Sequence, residues 1–107
     1  MLDIYNVVLD VIAALGSVLT QIERRDADLA RQARRAVASV ALNIAEGAGA
    51  RGKNRGLRYE TALGSARETM ACLQVARAFK YVPDIDAQLD DRLRKVIGTL
   101  VRVVQRG

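Results

Sequence analysis

The chain has no histidine and no tryptophan, and only one cysteine and one proline among its 107 residues. Without histidine, and with Cys72 alone, neither the zinc-ligand spacings nor the histidine-containing di-iron helix motif can be built. The same absence removes every Ser-His-Asp or Cys-His arrangement from this chain. No metal and no cofactor is expected. One cysteine makes no internal disulfide, so nothing points to an oxidising compartment. Long apolar runs are also missing. The stretch Val7 to Leu19 is interrupted by Asp10 and is too short to span a bilayer, so no membrane role is expected. Met1-Leu2-Asp3 carries no basic stretch ahead of that run, so a signal peptide is not expected either. Two classes are left: a small cytoplasmic binding or assembly protein, or an enzyme confined to carboxylates, arginine and serine.

What the sequence does contain is helix. Half of the residues are apolar and 27% are charged, the balance of a soluble globular domain. Three breaker clusters, at Glu23 to Asp26, Gly47 to Gly52 and Tyr81 to Asp84, divide the chain into four segments, none alternating with the period of a strand. In the first, Ile4, Val8, Val11, Leu15 and Leu19 fall on one stripe, and Asp3 is the expected N-cap. The second opens after Asp26, a cap candidate, and Gly47 is the expected residue after its end. The fourth follows Pro83, with Asp84 or Asp86 as cap, and carries a wide apolar arc. Helices are expected near 3–23, 27–46, 54–80 and 85–105. Short connections make them antiparallel neighbours, so the expected fold is all-α: a single domain, 1–107, forming an up-down-up-down four-helix bundle.

Charge is unevenly placed. Of a net +5, residues 24–58 hold nine bases against three acids, whereas residues 1–23 hold three acids and no base. The nine bases, Arg24, Arg25, Arg31, Arg34, Arg35, Arg51, Lys53, Arg55 and Arg58, are the candidate nucleic-acid contacts, since guanidinium groups suit phosphate. Pairing with acids of neighbouring helices is a second reading of them, and a GC-rich codon bias behind 14 Arg against 3 Lys is a third. With only Tyr5, Tyr59, Phe79 and Tyr81 as aromatics, nucleic-acid binding would be led by phosphate and weakly sequence-specific. The Gly-rich loop from Gly47 to Lys53 is no P-loop, because Asn54 follows the lysine and no strand precedes it.

The string from Arg34 to Gly47 (RRAVASVALNIAEG), followed by a basic Gly-rich loop and Ala62-Leu-Gly-Ser-Ala-Arg-Glu68, resembles the four-helix-bundle proteins of the 23S rRNA intervening-sequence type. The resemblance implies a bacterial, cytoplasmic protein that forms a ring-like pentamer. It extends to a related branch, the accessory variability determinant of diversity-generating retroelements, which implies a basic oligomer that binds a reverse transcriptase and DNA or RNA. A purely structural interaction ring without nucleic acid is the alternative.

Within those motifs Ser39, Asn43, Glu46, Gly47, Gly64, Ser65 and Glu68 are singled out. They form either a polar cleft or a hydrogen-bonded seam that sets helix register. The absence of the usual bases and nucleophiles favours the seam. Folding the second and third segments back on each other near residue 50 sets Ala36 against Gly64 as a close approach. It also sets Arg35 against Ser65, and brings Glu68 to a buried arginine, Arg31 or Arg35. Cys72 reads as a packing thiol. Helix three carries two apolar arcs, one with Tyr59, Leu63, Ala66, Met70 and Leu73, the other with Leu57, Cys72, Val75 and Phe79. A lone bundle fills only one, so helices three and four are expected to contribute to a subunit contact.

Overall fold

A computed structural model of the chain describes residues 3–106. Its elements are α1 (Ile4–Arg25), α2 (Ala27–Gly49), α3 (Gly52–Ala78) and α4 (Ala87–Gln105). α1 packs on α2 and α4, and α3 packs on the same two helices, closing a bundle of 42 × 24 × 20 Å. The core falls into two layers. One joins Leu15, Leu19 and Ile22 of α1 to Ala30 and Ala33 of α2, Leu73 of α3 and Leu89 of α4. The other joins Ile4 and Val8 to Ile44, Tyr59, Ala62 and Leu100. Each layer therefore unites the start of one helix with the end of the next, the mark of up-down-up-down order.

By length and composition α1 could cross a membrane, with a mean hydropathy of 1.5 over its most apolar 18 residues. Six of its apolar residues, Ile4, Val8, Val11, Leu15, Leu19 and Ile22, are buried in the bundle, whereas Val7, Ile12 and Val18 are half-buried and Leu9 is exposed. α2 contributes Ala30, Ala33, Ala36 and Ala41 to its buried face. Small side chains let it lie close to its neighbours, and α2 with α3 is the closest pair.

The helix ends differ from expectation in three places. Asp26 and Asp86 cap α2 and α4, accepting from the backbone N–H of Leu29 (2.9 Å) and Leu89 (3.1 Å). Asp3 does not cap α1. Its backbone is already helical, and its carboxylate accepts from the Asn6 side chain at 3.1 Å. α2 does not stop at Gly47 but runs on to Gly49, because Gly47 is buried where Tyr59 covers it. At the other end of α3, Lys80 takes the left-handed conformation (φ 62°). Lys80 N–H donates to Arg77 O and Tyr81 N–H to Ala76 O, both at 2.9 Å, which is a Schellman ending with lysine in the usual glycine position.

The α2–α3 turn explains the register. Ala50 and Arg51 are both extended (ψ 167° and 154°), so the chain runs on by about 7 Å past the end of α2 before reversing at Gly52 (φ 61°). The first turn of α3 thus runs past the end of α2, and Ser65 meets Ser39 where Arg35 was expected. The expected close approach at Gly64 is absent, since a Cβ there would meet nothing within 4 Å.

Candidate nucleic-acid interface

The motif residues on α2 and α3 form a polar seam along one edge of the bundle. Ser39 Oγ and Ser65 Oγ are 2.8 Å apart. Asn43 Nδ2 donates to Ser39 O (2.9 Å) and Ser39 Oγ (3.0 Å), and Thr69 Oγ1 donates to Ser65 O (2.9 Å). Lower down, Arg58 bridges Glu46 (2.8 Å) and Asn43 Oδ1 (3.5 Å). Neither serine is hydrogen-bonded to a carboxylate, the group that would have to activate it as a nucleophile. The arrangement ties two helices together, which supports the seam reading. A solvent-filled groove of about 540 Å³, lined by Arg31, Gln32, Arg35 and Glu68, runs beside it.

Glu68 does not reach a buried arginine. It is exposed and accepts from Gln32 Nε2 at 3.3 Å, while Arg31 pairs with Asp28 at 3.1 Å. Arg35 lines the same groove as Glu68 but is itself exposed and makes no ion pair with it. Thr69, fully buried and satisfied through Ser65 O, is a seam member that sequence reasoning missed, although its spacing of four from Ser65 was the available signal. Cys72 is buried, as expected of a packing thiol. Burial pushes its pKa up, and the Glu68 carboxylate adds to the rise.

The nine candidate bases do not share one face. Arg24, Arg25, Arg31, Arg34 and Arg35 gather at the α1–α2 end. Arg51, Lys53, Arg55 and Arg58 lie at the opposite tip, with Arg51 about 28 Å along the chain from Arg35, α2 and the two extended residues after it taken together. Among the described residues each group keeps three bases without an ion pair: Arg24, Arg25 and Arg35 at the first, and Arg51, Lys53 and Arg55 at the tip. At the first, Arg34 pairs with Glu23 (2.6 Å), Arg31 with Asp28, and Arg25 lies over the Tyr81 ring at 5.6 Å. At the tip only Arg58 is in an ion pair; Arg51 and Lys53 have none, and Arg55 lies 5.6 Å over the Tyr59 ring. All four tip bases are exposed. No side chain caps the N-terminus of α3, so its first N–H groups add positive potential there.

Between the overhanging start of α3 and the end of α4 lies a cleft of about 340 Å³, lined by Lys53, Arg55, Leu57, Glu60, Val103 and Val104 among others. Leu57 stands 58% exposed above it. The second apolar arc of α3 is mostly outside the core: Val75 and Phe79 are exposed, at 41% and 62%, whereas Cys72 is inside. Leu42 of α2 is 63% exposed.

Comparison with curated proteins and with solved structures gave no match. The sequence model of one family, described as 23S rRNA-intervening sequence protein, matches residues 2–102. That span takes in α1 to α3, α4 as far as Arg102, the seam and the basic tip. The chain belongs to the 23S rRNA-intervening sequence protein family.

Proposed function

We propose that the protein is a non-catalytic, cytoplasmic, oligomeric bundle that binds nucleic acid, or a nucleoprotein partner such as a reverse transcriptase, through basic residues at the α2–α3 tip. The observation that carries this reading is the set of exposed cations there, Arg51, Lys53 and Arg55, which have no acidic partner among the described residues. Arg31 and Arg34 at the opposite end would have to give up a partner before taking a phosphate; Arg24, Arg25 and Arg35 there would not, and what sets the tip apart is the uncapped N-terminus of α3, whose N–H groups add to the cations. Binding led by such contacts falls with salt in proportion to the phosphates engaged.

A filter-binding titration at several salt concentrations tests it. Replacing Arg51, Lys53 and Arg55 together by Gln should weaken binding and lower the slope of log affinity against log salt by roughly two to three, at about 0.9 per duplex phosphate contact. Replacing Arg31 and Arg34 by Gln should change the slope less. No binding by the parent protein at low salt would favour the second reading.

That second reading, a purely structural ring, is favoured by the exposure of Leu42, Leu57, Val75 and Phe79. Both readings include self-association, and family resemblance supplies the pentamer. Light scattering that returned the mass of one chain at micromolar concentration would refute the ring.

A further inference from the structure

The cleft between α3 and α4 is more than a gap beside the basic tip. Its apolar lining comes from Leu57, Tyr59, Val103 and Val104, and Lys53, Arg55 and Glu60 line it as well. At about 340 Å³ it lies at the lower end of small-molecule sites, roughly 300–1,000 Å³. One planar ring with its sugar fits such a space; a duplex does not. We propose that this cleft takes a single unstacked base of a single-stranded nucleic acid, with the flanking phosphates on Lys53 and Arg55. The inference rests on the reading of the tip as a nucleic-acid surface and names the form of nucleic acid it selects.

Charge complementarity chooses this occupant over others. Lys53 and Arg55 favour a ligand that carries negative charge beside the cleft, while Glu60, in the same lining, disfavours a carboxylate next to it. An acidic peptide side chain or a fatty-acid head is therefore a poor guest. A base is neutral, offers apolar faces to the leucine and the valines, and in cytosine carries an exocyclic amino group that a carboxylate accepts. Uracil presents a carbonyl oxygen at the same position and meets Glu60 acceptor to acceptor. The Arg55 guanidinium, held over the Tyr59 ring at 5.6 Å, offers a plane on which a base can stack.

The test is fluorescence anisotropy at low salt with labelled oligodeoxycytidylate, oligodeoxyuridylate and a duplex of equal length. The parent protein should bind the cytidylate about two- to tenfold more tightly than the uridylate, the range of one net hydrogen bond. Glu60→Gln should erase that preference, because an amide serves either base. Leu57→Ser should weaken both single strands about tenfold, leave the duplex unchanged and keep the salt slope, since it removes apolar contact and no charge. Leu57 is largely exposed, so this variant should keep its helicity by circular dichroism. Equal binding of the two single strands, with Leu57→Ser like the parent, overturns the cleft and leaves the basic tip standing. Leu57→Ser that lowers the particle mass in light scattering without changing oligonucleotide affinity also overturns it, and gives the cleft to a second copy of the chain. No binding of any oligonucleotide by the parent overturns both the cleft and the proposed function.

Discussion

Replacing Gly47 and Gly64 separately by alanine should move stability in opposite directions. Gly64 is exposed in the middle of α3, and an added Cβ meets nothing within 4 Å. Alanine there gains helix propensity of about 0.8–1 kcal/mol. At Gly47 the new Cβ would lie 3.0 and 3.1 Å from Tyr59 Cε1 and Cζ and 3.3 Å from Arg58 Cβ. Tyr59 is buried, so its ring has little room to retreat. Overpacking of this kind costs about 1–3 kcal/mol, which offsets the propensity gain and leaves Gly47→Ala roughly neutral to 2 kcal/mol destabilised. The two variants should therefore differ by roughly 1–3 kcal/mol. Urea unfolding followed by circular dichroism reads the difference as separated midpoints at equal slope. Gly16→Ala is the control for propensity alone, because its Cβ also meets nothing. A Tyr59→Leu background supplies the check on cause, since a shorter side chain removes the ring atoms. There, Gly47→Ala should cost nothing beyond what Tyr59→Leu costs. Coincident midpoints for Gly47→Ala and Gly64→Ala, or no relief in the Tyr59→Leu background, would refute the packing argument.

Other outcomes follow from single residues. Lys80→Gly should raise stability by about 1 kcal/mol, because the left-handed conformation that lysine adopts at the end of α3 costs it about that much; a lower unfolding midpoint would contradict this. Ser39→Ala removes the hydroxyl shared by Asn43 and Ser65 and should cost about 1 kcal/mol, whereas Glu68→Ala should stay within about 0.5 kcal/mol, both read from unfolding midpoints. The buried Cys72 thiol holds its proton above the ordinary value of 9.0, so its contribution is fully present below pH 9.0 and is lost as pH rises through the higher folded-state value. Cys72→Ala should flatten that alkaline decline in chemical denaturation series, and the native thiol should alkylate slowly at neutral pH.

The four helices were legible because the apolar stripes are a one-dimensional signal. The spacing of Ile4, Val8, Val11, Leu15 and Leu19 needs only the helical period to be read. Part of the seam was legible through the family motif, which carries Ser39, Asn43 and Ser65; Gly64 and Glu68 of the same motif lie exposed outside it, and Thr69 was missed. What could not be read was which residue meets which. Two extended residues, Ala50 and Arg51, displace α3 by about a turn, and no periodic pattern encodes the backbone angles of a two-residue connection. With that displacement the glycine covered by a neighbouring side chain is Gly47 and not Gly64, and Glu68 meets Gln32 because Arg31 and Arg35 both lie exposed, Arg31 with Asp28 as its partner. The nine bases looked like one surface because they are contiguous in sequence. Folding α2 as one continuous rod put its ends, and their charges, far apart.

The overhang of α3 bears on how the molecule opens. From Gly52 to Arg58 every residue but Gly56 is exposed, and the core begins only at Tyr59. The first four of these amides have no acceptor within the helix, and the rest are protected by local hydrogen bonds with little packing behind them. Those near Leu15 and Leu73 are released only when both core layers come apart. Hydrogen exchange should accordingly show a gradient along one helix, fast at residues 53–57 and slow beyond Tyr59. A polyanion seated at this end would slow exchange in those first turns, so occupancy has a local readout in addition to its effect on global stability. A helix that frays at its cationic end can also adjust the positions of Lys53 and Arg55 to an irregular backbone without disturbing the packed core.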